Sequence, residues 1–190
     1  GSANVLRVLF VLSPGFSDLA AHREGSSNMG LLVPRVLLPG RPFLYPPHTV
    51  ATCAAACREA GQRVEVLDGS HSVEPWKVAV EAADREADVI ACHVSGGTAQ
   101  LDYSFLHMLR EAVPGTPVLA FGPTGGAATE AWGGGGPCRA VLTGEPEAAI
   151  APAVAAVASG DFAGIAAGAD FVPGSYSEAL LRDLDAVPFP

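Results

Sequence analysis

The sequence is short of basic residues and of long apolar runs. Its 11 lysine and arginine residues stand against 20 aspartate and glutamate residues, and the net charge of the 190-residue chain is −9. No basic stripe with interleaved aromatic residues occurs, so the sequence does not predict a nucleic-acid partner. No apolar run reaches the roughly 18 residues that span a bilayer, and the amino terminus lacks the features of a signal peptide. We therefore expect a soluble, cytoplasmic protein without a membrane partner.

Several cofactor-binding motifs are also missing. The stretch SPGFSD (13–18), which follows the first apolar run, has one glycine where the fingerprint G-x-G-x-x-G has three, and no Walker sequence occurs. Nicotinamide and triphosphate cofactors are therefore poor candidates. Ser13 and Pro14 also stand where a response regulator carries an acidic pair for a metal ion. Flavin mononucleotide stays an alternative, although its hydroxyl-rich phosphate loop and ring-stacking aromatic residues are not clear here.

Cysteine is scarce, and the chain has four. They do not make a disulfide framework in a chain of this size. Cys53 and Cys57 match the first spacing of CxxxCxxC, the motif by which radical S-adenosylmethionine enzymes hold an iron-sulfur cluster, but the third position falls on Ala60. Because an incomplete set of thiolates does not make such a site, we do not expect a cluster in this stretch.

The same cysteines fit a helix instead. Val50, Cys53 and Cys57 recur at three- and four-residue spacings, which predicts the buried stripe of an amphipathic helix. Thr49 is expected to cap this helix, and Gly61 to end it in a left-handed conformation. Since free cysteine packs like a small hydrophobic residue, we expect both cysteines in the core.

Short apolar runs alternate with helical stretches along the chain. The runs that predict strands are VLRVLFVL (5–12), RVEVLD (63–68), DVIACHV (88–94), PVLAF (117–121) and AVLT (140–143). This alternation predicts a parallel sheet with right-handed crossovers and helices on both faces. We therefore predict an α/β fold: a doubly wound, five-stranded parallel sheet, Rossmann-like or flavodoxin-like, with strand order 2-1-3-4-5.

The chain has room for one well-cored domain and a tail. We assign residues 3–159 to the domain. Residues 160–190 are rich in alanine, glycine and proline, and we interpret them as a linker or an incomplete second unit. The loop after the first strand, about 35 residues long, is far longer than usual for this kind of fold, which indicates a lid or a docking surface.

Ligands of such folds bind at the carboxyl ends of the strands, and small residues dominate three of the predicted loops there. Glycines let a backbone approach a ligand closely, and hydroxyls can bind amides or a phosphate. Any one of these loops can also be an ordinary tight turn. The three adjacent loops together favour a ligand site. The candidate residues, which include positions after the first two strands, are Ser13, Asp68, His71, Ser95, Gly96, Thr98, Gly122, Thr124, Gly125, Gly126, Gly144 and Glu145.

The order of several motifs resembles one known family. These motifs are Tyr45 with Pro46 and Pro47, REAGQRVEVLD, ADVIACHVSGGT, the glycine-rich loop after the fourth strand, and VLTGEPEAAI. Together they resemble the amino-terminal domain of cobalamin-dependent radical S-adenosylmethionine enzymes. The final DLDAVPFP is similar to the segment that joins this domain to the radical barrel, so the resemblance covers residues 5–190.

The resemblance implies that residues 3–159 hold cobalamin across the carboxyl edge of the sheet. The benzimidazole tail would be buried beside the strands, bordered by Gly125 and Gly126. Most members of the family are methyltransferases. Their S-adenosylmethionine and 4Fe-4S cluster belong to the barrel, which would follow residue 190, so residues 160–190 would be the linker toward it. We therefore expect a cofactor-binding module that is not catalytic alone and whose protein partner is that barrel.

The histidines do not match a known cobalt-ligand motif. Another corrinoid family uses D-x-H-x-x-G, whereas Asp68 and His71 are three residues apart and lack the glycine. His93 falls in a predicted strand and His107 in a predicted helix, where packed or surface roles are expected. We expect no protein ligand to the metal. The alternatives to a cobalamin module are a flavodoxin-like flavin-binding domain and a protein-interaction domain without cobalamin.

Overall fold

The structure is a computed structural model that describes residues 5–17, 19–22, 31–34, 46–134, 136–162, 176–179 and 188. The strands in these ranges are β1 (Arg7–Leu12), β2 (Leu19–His22), β3 (Leu31–Pro34), β4 (Arg63–Asp68), β5 (Val89–His93), β6 (Val118–Gly122), β7 (Ala140–Gly144) and β8 (Tyr176–Ala179). The helices are α1 (His48–Glu59), α2 (Pro75–Asp84), α3 (Ala99–Ala112), α4 (Gly125–Trp132) and α5 (Ile150–Ser159). Short 3-10 turns at Gly96–Thr98 and Pro146–Ala148 precede α3 and α5.

The main sheet is parallel and has the strand order β4-β1-β5-β6-β7-β8. Its first five members are the five strands expected from the apolar runs. The predicted doubly wound α/β fold with strand order 2-1-3-4-5 is therefore confirmed. The sixth strand, β8, pairs with β7 and lies within residues 160–190. The division into a domain and a linker stays a prediction.

Helices cover the sheet on both faces. α1 and α5 pack on one face, and α2, α3 and α4 pack on the other. Because strand side chains alternate between faces, β1 directs Phe10 into the first layer and both Leu9 and Val11 into the second. This two-sided burial explains why β1 is an almost continuous apolar run.

Helix α1 begins one residue before the expected cap. Pro47 is the N-cap and makes no side-chain capping bond, while Thr49 lies inside the first turn and is buried. The expectation that Thr49 caps the helix was wrong. Gly61 has the expected left-handed conformation, with φ of 82°. The amide of Gln62 donates to the carbonyl of Cys57 at 3.0 Å, which closes a Schellman motif at the end of α1.

The cysteines of α1 are core residues, as their spacing predicted. Cys53 and Cys57 are both fully buried in the layer between α1, α5 and the sheet. Burial raises the pKa of the Cys57 thiol to about 12. The thiol therefore stays protonated at neutral pH, a form in which it is a poor metal ligand and a poor nucleophile.

The long loop after β1 contains an antiparallel hairpin. β2 pairs with β3 in the register Leu19 to Pro34, and β3 contacts the 3-10 turn Gly96–Thr98 that follows β5. The hairpin therefore approaches the carboxyl ends of the sheet strands. In the described ranges, no helix has both the length and the apolar character needed to cross a membrane.

Candidate functional site

The carboxyl ends of β1 and β5 form the switch point of the sheet. The two strands are neighbours, but the helix that follows β1 packs on one face and the helix that follows β5 packs on the other. Loops that leave a sheet in opposite directions open a crevice, and doubly wound folds bind ligands there. We call the surface formed by the loops after β1, β4, β5, β6 and β7 the carboxyl edge.

Ser13 holds the two strands together at the switch point. Its side chain is fully buried, and its hydroxyl donates to the carbonyl oxygen of His93 at 3.4 Å. Oγ of Ser13 also lies 3.3 Å from Sγ of Cys92. Ser13 therefore lies at the carboxyl edge, as expected, but its hydroxyl faces β5.

Ser95 and Thr98 are joined by a buried carboxylate that the sequence interpretation missed. Oδ2 of Asp102 accepts the amide of Ser95 at 3.0 Å and the hydroxyl of Thr98 at 2.6 Å. The hydroxyls of Ser95 and Thr98 lie 2.6 Å apart, and the Asp102 side chain is fully buried. This cluster fixes the 3-10 turn to the first turn of α3. The sequence signal for this cluster is the spacing of Ser95, Thr98 and Asp102, at three and then four residues.

Two threonines connect the loops after β5, β6 and β7. The amide of Gly96 donates to Oγ1 of Thr124 at 3.0 Å, which ties the β5 loop to the β6 loop. The amide of Gly126 donates to Oγ1 of Thr143 at 3.1 Å, which ties the start of α4 to the end of β7. The three loops expected to lie side by side thus form one hydrogen-bonded layer.

The glycines of this layer have different neighbours. A Cβ on Gly122, whose φ is 154°, would collide with the carbonyl oxygen of Val94, so close strand packing requires this glycine. A Cβ on Gly125 would lie 3.5 Å from the carbonyl oxygen of Leu142, because Gly125 faces β7. Among the described residues, a Cβ on Gly126 would meet only Oγ1 of Thr143 within 4 Å, at 3.7 Å. Gly126 therefore has more open space beside it than Gly125.

Gly96 and Gly144 complete the set of candidate glycines. A Cβ on Gly96 would come within 3.0 Å of the Cβ of Ala127, which is tight for two methyl groups. Gly144 has a left-handed φ of 81° where the chain turns from β7 toward the second 3-10 turn. Both residues are half-buried. Glu145, next to Gly144, is exposed at the β7 end of the edge.

Asp68 and His71 lie at the opposite end of the carboxyl edge. Asp68 accepts hydrogen bonds from the amide and the hydroxyl of Ser70 at 3.0 and 2.5 Å, so its carboxylate is turned into its own loop. His71 is exposed in the same loop. The amide of Gly15 donates to the carbonyl of Ser72 at 3.0 Å, which joins this loop to the one after β1.

The histidines of β5 and α3 have the packed and surface roles that were expected. His93 is buried in the sheet and stacks on Phe121, with ring centroids 5.3 Å apart and planes 27° apart. His107 is exposed and meets the Tyr103 ring edge-on at 4.6 Å. Over the described part of the chain, no three or more histidine, cysteine, aspartate or glutamate side chains are grouped closely enough to hold a metal ion.

The fold and the edge define a class: a doubly wound α/β domain whose loops converge on a switch point. No protein-family model matches the chain, and no curated protein matches it either.

Proposed function

We propose that the chain binds cobalamin at its carboxyl edge, as the cofactor-binding module of a cobalamin-dependent radical S-adenosylmethionine methyltransferase. The observation that carries the proposal is the hydrogen-bonded layer of small residues beyond β5, β6 and β7, next to the switch point. The order of sequence motifs that resembles this family supports it. S-adenosylmethionine and the 4Fe-4S cluster would belong to the radical barrel, which is the proposed protein partner. The proposed compartment is the cytoplasm, and nucleic acid is not a proposed partner.

The residues of the edge fit a wide, flat ligand. No side chain in residues 95–98 or 124–127 is larger than threonine. Gly97, Ala127 and Glu145 are exposed, and Gly126 has open space beside its Cα. A low surface of this kind lets backbone amides and carbonyls approach a ring system and its amide side chains closely.

The chain's own contribution would be to bind and orient the cofactor. Asp102, through Ser95 and Thr98, holds the β5 loop rigid, and a site whose supporting contacts are rigid binds with less loss of entropy. Gly97, Thr124, Gly126, Gly144 and Glu145 would form the contact surface. Bound cobalamin would supply methyl-transfer chemistry.

We further propose that the benzimidazole is displaced from cobalt and that no histidine of the chain replaces it. His71 lies at the carboxyl edge, but in the loop after β4. The D-x-H-x-x-G loop of the other corrinoid family follows the first strand, and at that place this chain has Ser13, Pro14 and Gly15. The bound cofactor should therefore have a base-off absorption spectrum. The cobalt(II) form should lack nitrogen superhyperfine splitting in electron paramagnetic resonance. A splitting that disappears in His71→Ala would contradict this part of the proposal.

The central test is a titration of the purified chain with hydroxocobalamin, followed by gel filtration. Red colour retained at one cofactor per chain is the expected result. Yellow colour in the protein as purified would favour the flavin alternative. No retained colour of either kind would favour a protein-interaction domain.

A glycine substitution locates the site. In Gly126→Ala the added methyl group has room in the free protein, and alanine favours helix α4, so stability should be unchanged or rise by up to about 1 kcal/mol. Cobalamin affinity should nevertheless fall at least about fivefold, because the methyl group would overpack a closely bound ligand. The matched control is Gly115→Ala in the loop before β6, at the other edge of the sheet, where a Cβ meets no atom within 4 Å. Equal affinities of the two variants would place the cofactor elsewhere.

A further inference from the structure

A cleft lies beside the carboxyl edge on the face covered by α2 and α3. Its volume is about 220 Å³. One wall is a stripe of α3 formed by Leu101, Ser104, Phe105 and Met108, at spacings of three and four residues. The opposite wall is the loop after β1, residues 14–16, and the start of α2 at Pro75 closes one side. The cleft thus lies next to the switch point, outside the layer of small residues.

The walls of the cleft are apolar and aromatic. Phe16 and Phe105 offer ring faces and edges, Met108 offers a polarisable sulfur, and none of the described residues that line the cleft carries a charge. An apolar cavity of roughly 150 Å³ takes up benzene, so a cleft of 220 Å³ has room for a fused two-ring system. The described residues of these walls are uncharged, in a chain of net charge −9, which favours a neutral ligand over an anion.

Phe16 is held at the mouth of the cleft rather than in the core. It is 50% exposed, and its backbone is fixed by reciprocal hydrogen bonds with Leu19 at 3.1 and 2.9 Å. The turn between them includes Ser17 with φ of 55°, a left-handed conformation that is costly for a residue other than glycine. Strained turns are frequent at binding sites, and this one presents an aromatic ring to a cleft. A ring that only filled the core would be buried and would not need a strained turn.

Ser104 supplies one hydrogen-bond acceptor. Its hydroxyl donates to the carbonyl oxygen of Gln100 at 3.1 Å, which leaves the lone pairs of its oxygen facing outward from that bond. Among the described residues that line the cleft, Ser104 alone has a polar side chain. A ligand with one N–H or O–H donor at the rim would match it.

We infer that the cleft binds a small, neutral, planar aromatic molecule of two fused rings that carries a single N–H or O–H donor. The rings lie between Phe16 and the α3 stripe, and the donor reaches Oγ of Ser104. This site does not depend on cobalamin, so either proposal stands if the other fails.

The test is a titration of the full chain with 5-fluoroindole, followed by fluorine NMR, without cobalamin. Saturable binding with a dissociation constant below about 1 mM is expected. Phe16→Ala, which removes an exposed ring without touching the core, should weaken binding at least about fivefold. Ser104→Val should weaken it by a similar factor, because it removes the acceptor. Met108→Trp should fill the cleft and abolish binding.

Val80→Ala is the matched control, since Val80 is 52% exposed on α2 and does not line the cleft. It should bind 5-fluoroindole as the wild type does, and circular dichroism of every variant checks that the fold is intact. Shifts that do not saturate would overturn the inference. So would wild-type affinity in both Phe16→Ala and a folded Met108→Trp variant.

Discussion

The buried carboxylate of Asp102 should be worth several kilocalories per mole to the fold. In Asp102→Ala, the amide of Ser95 and the hydroxyl of Thr98 both lose the acceptor that they share, at a site closed to water. A hydrogen bond to a charged group contributes about 1.5–3 kcal/mol, and part of the loss of two is offset because a carboxylate no longer has to be buried. We therefore expect a loss of about 2–4 kcal/mol in the free energy of unfolding.

Asp102→Asn measures the contribution of the charge to stability separately from that of the two hydrogen bonds. Both bonds end on the same oxygen, Oδ2, so an asparagine oxygen in that position accepts both. Only the charge and the second oxygen are lost, and the cost should be about 1–2 kcal/mol. The order of stability is then wild type, Asp102→Asn and Asp102→Ala.

Urea denaturation measures these differences. With an m-value of about 2 kcal/mol/M, the alanine variant should unfold at roughly 1–2 M less urea than the wild type. Asp84→Ala is the matched control, because Asp84 is exposed at the end of α2, and its removal should change stability by less than about 0.5 kcal/mol. An alanine variant at position 102 within 0.5 kcal/mol of the wild type, or an asparagine variant as unstable as alanine, would refute the assigned role.

Three further outcomes follow from the described side chains. All four cysteines are buried, and burial raises the pKa of both Cys57 and Cys138, so a thiol reagent such as DTNB should label none of them in the native protein and all four in denaturant. The backbone amide of Arg7, and then its guanidinium, lower the pKa of Asp88. The ionised Asp88 therefore stabilises the fold above the unfolded pKa near 3.9. The difference in stability between the wild type and Asp88→Asn should be constant from about pH 5 to 8 and shrink below about pH 4. Glu86 has a left-handed φ of 50°, so Glu86→Gly should raise the melting temperature, whereas Glu86→Ala should leave it nearly unchanged.

The strand order was predictable because parallel strands buried on both faces are nearly continuous apolar runs. β1 and β5 are the clearest cases. The hairpin of β2 and β3 and the edge strand β8 were not predicted, because each is only four residues long; β3 is apolar but ends at Pro34, and β8 lacks an apolar run. The cap of α1 was assigned to Thr49, but the helix starts at His48 and its N-cap is Pro47. A two-residue shift of this kind depends on the approach of the preceding chain, which local sequence does not specify.

The position of the candidate site was easier to predict than its internal contacts. Strands of a parallel sheet all end at one edge, so the order of the strands alone brings Ser95, Thr124 and Gly144 together. The direction of each hydroxyl could not be predicted, because it depends on partners such as Asp102, which lies in α3 and binds back to the loop. The cleft was missed for a similar reason. Residues 14–16, Pro75 and the α3 stripe are far apart in sequence, so no local sequence pattern brings them together.

The position of β1 between β4 and β5 has a consequence for synthesis on the ribosome. Val8 pairs with Val64 on one side and with Val89 on the other, 56 and 81 residues later in the chain. At a synthesis rate of about 5–20 residues per second, this apolar strand is made roughly 3–16 s before its partners. During that interval β1 has no sheet to join, which is when a nascent chain is open to aggregation and to chaperones. The switch-point crevice cannot form until β5 has been made, although the first of its two strands is made early.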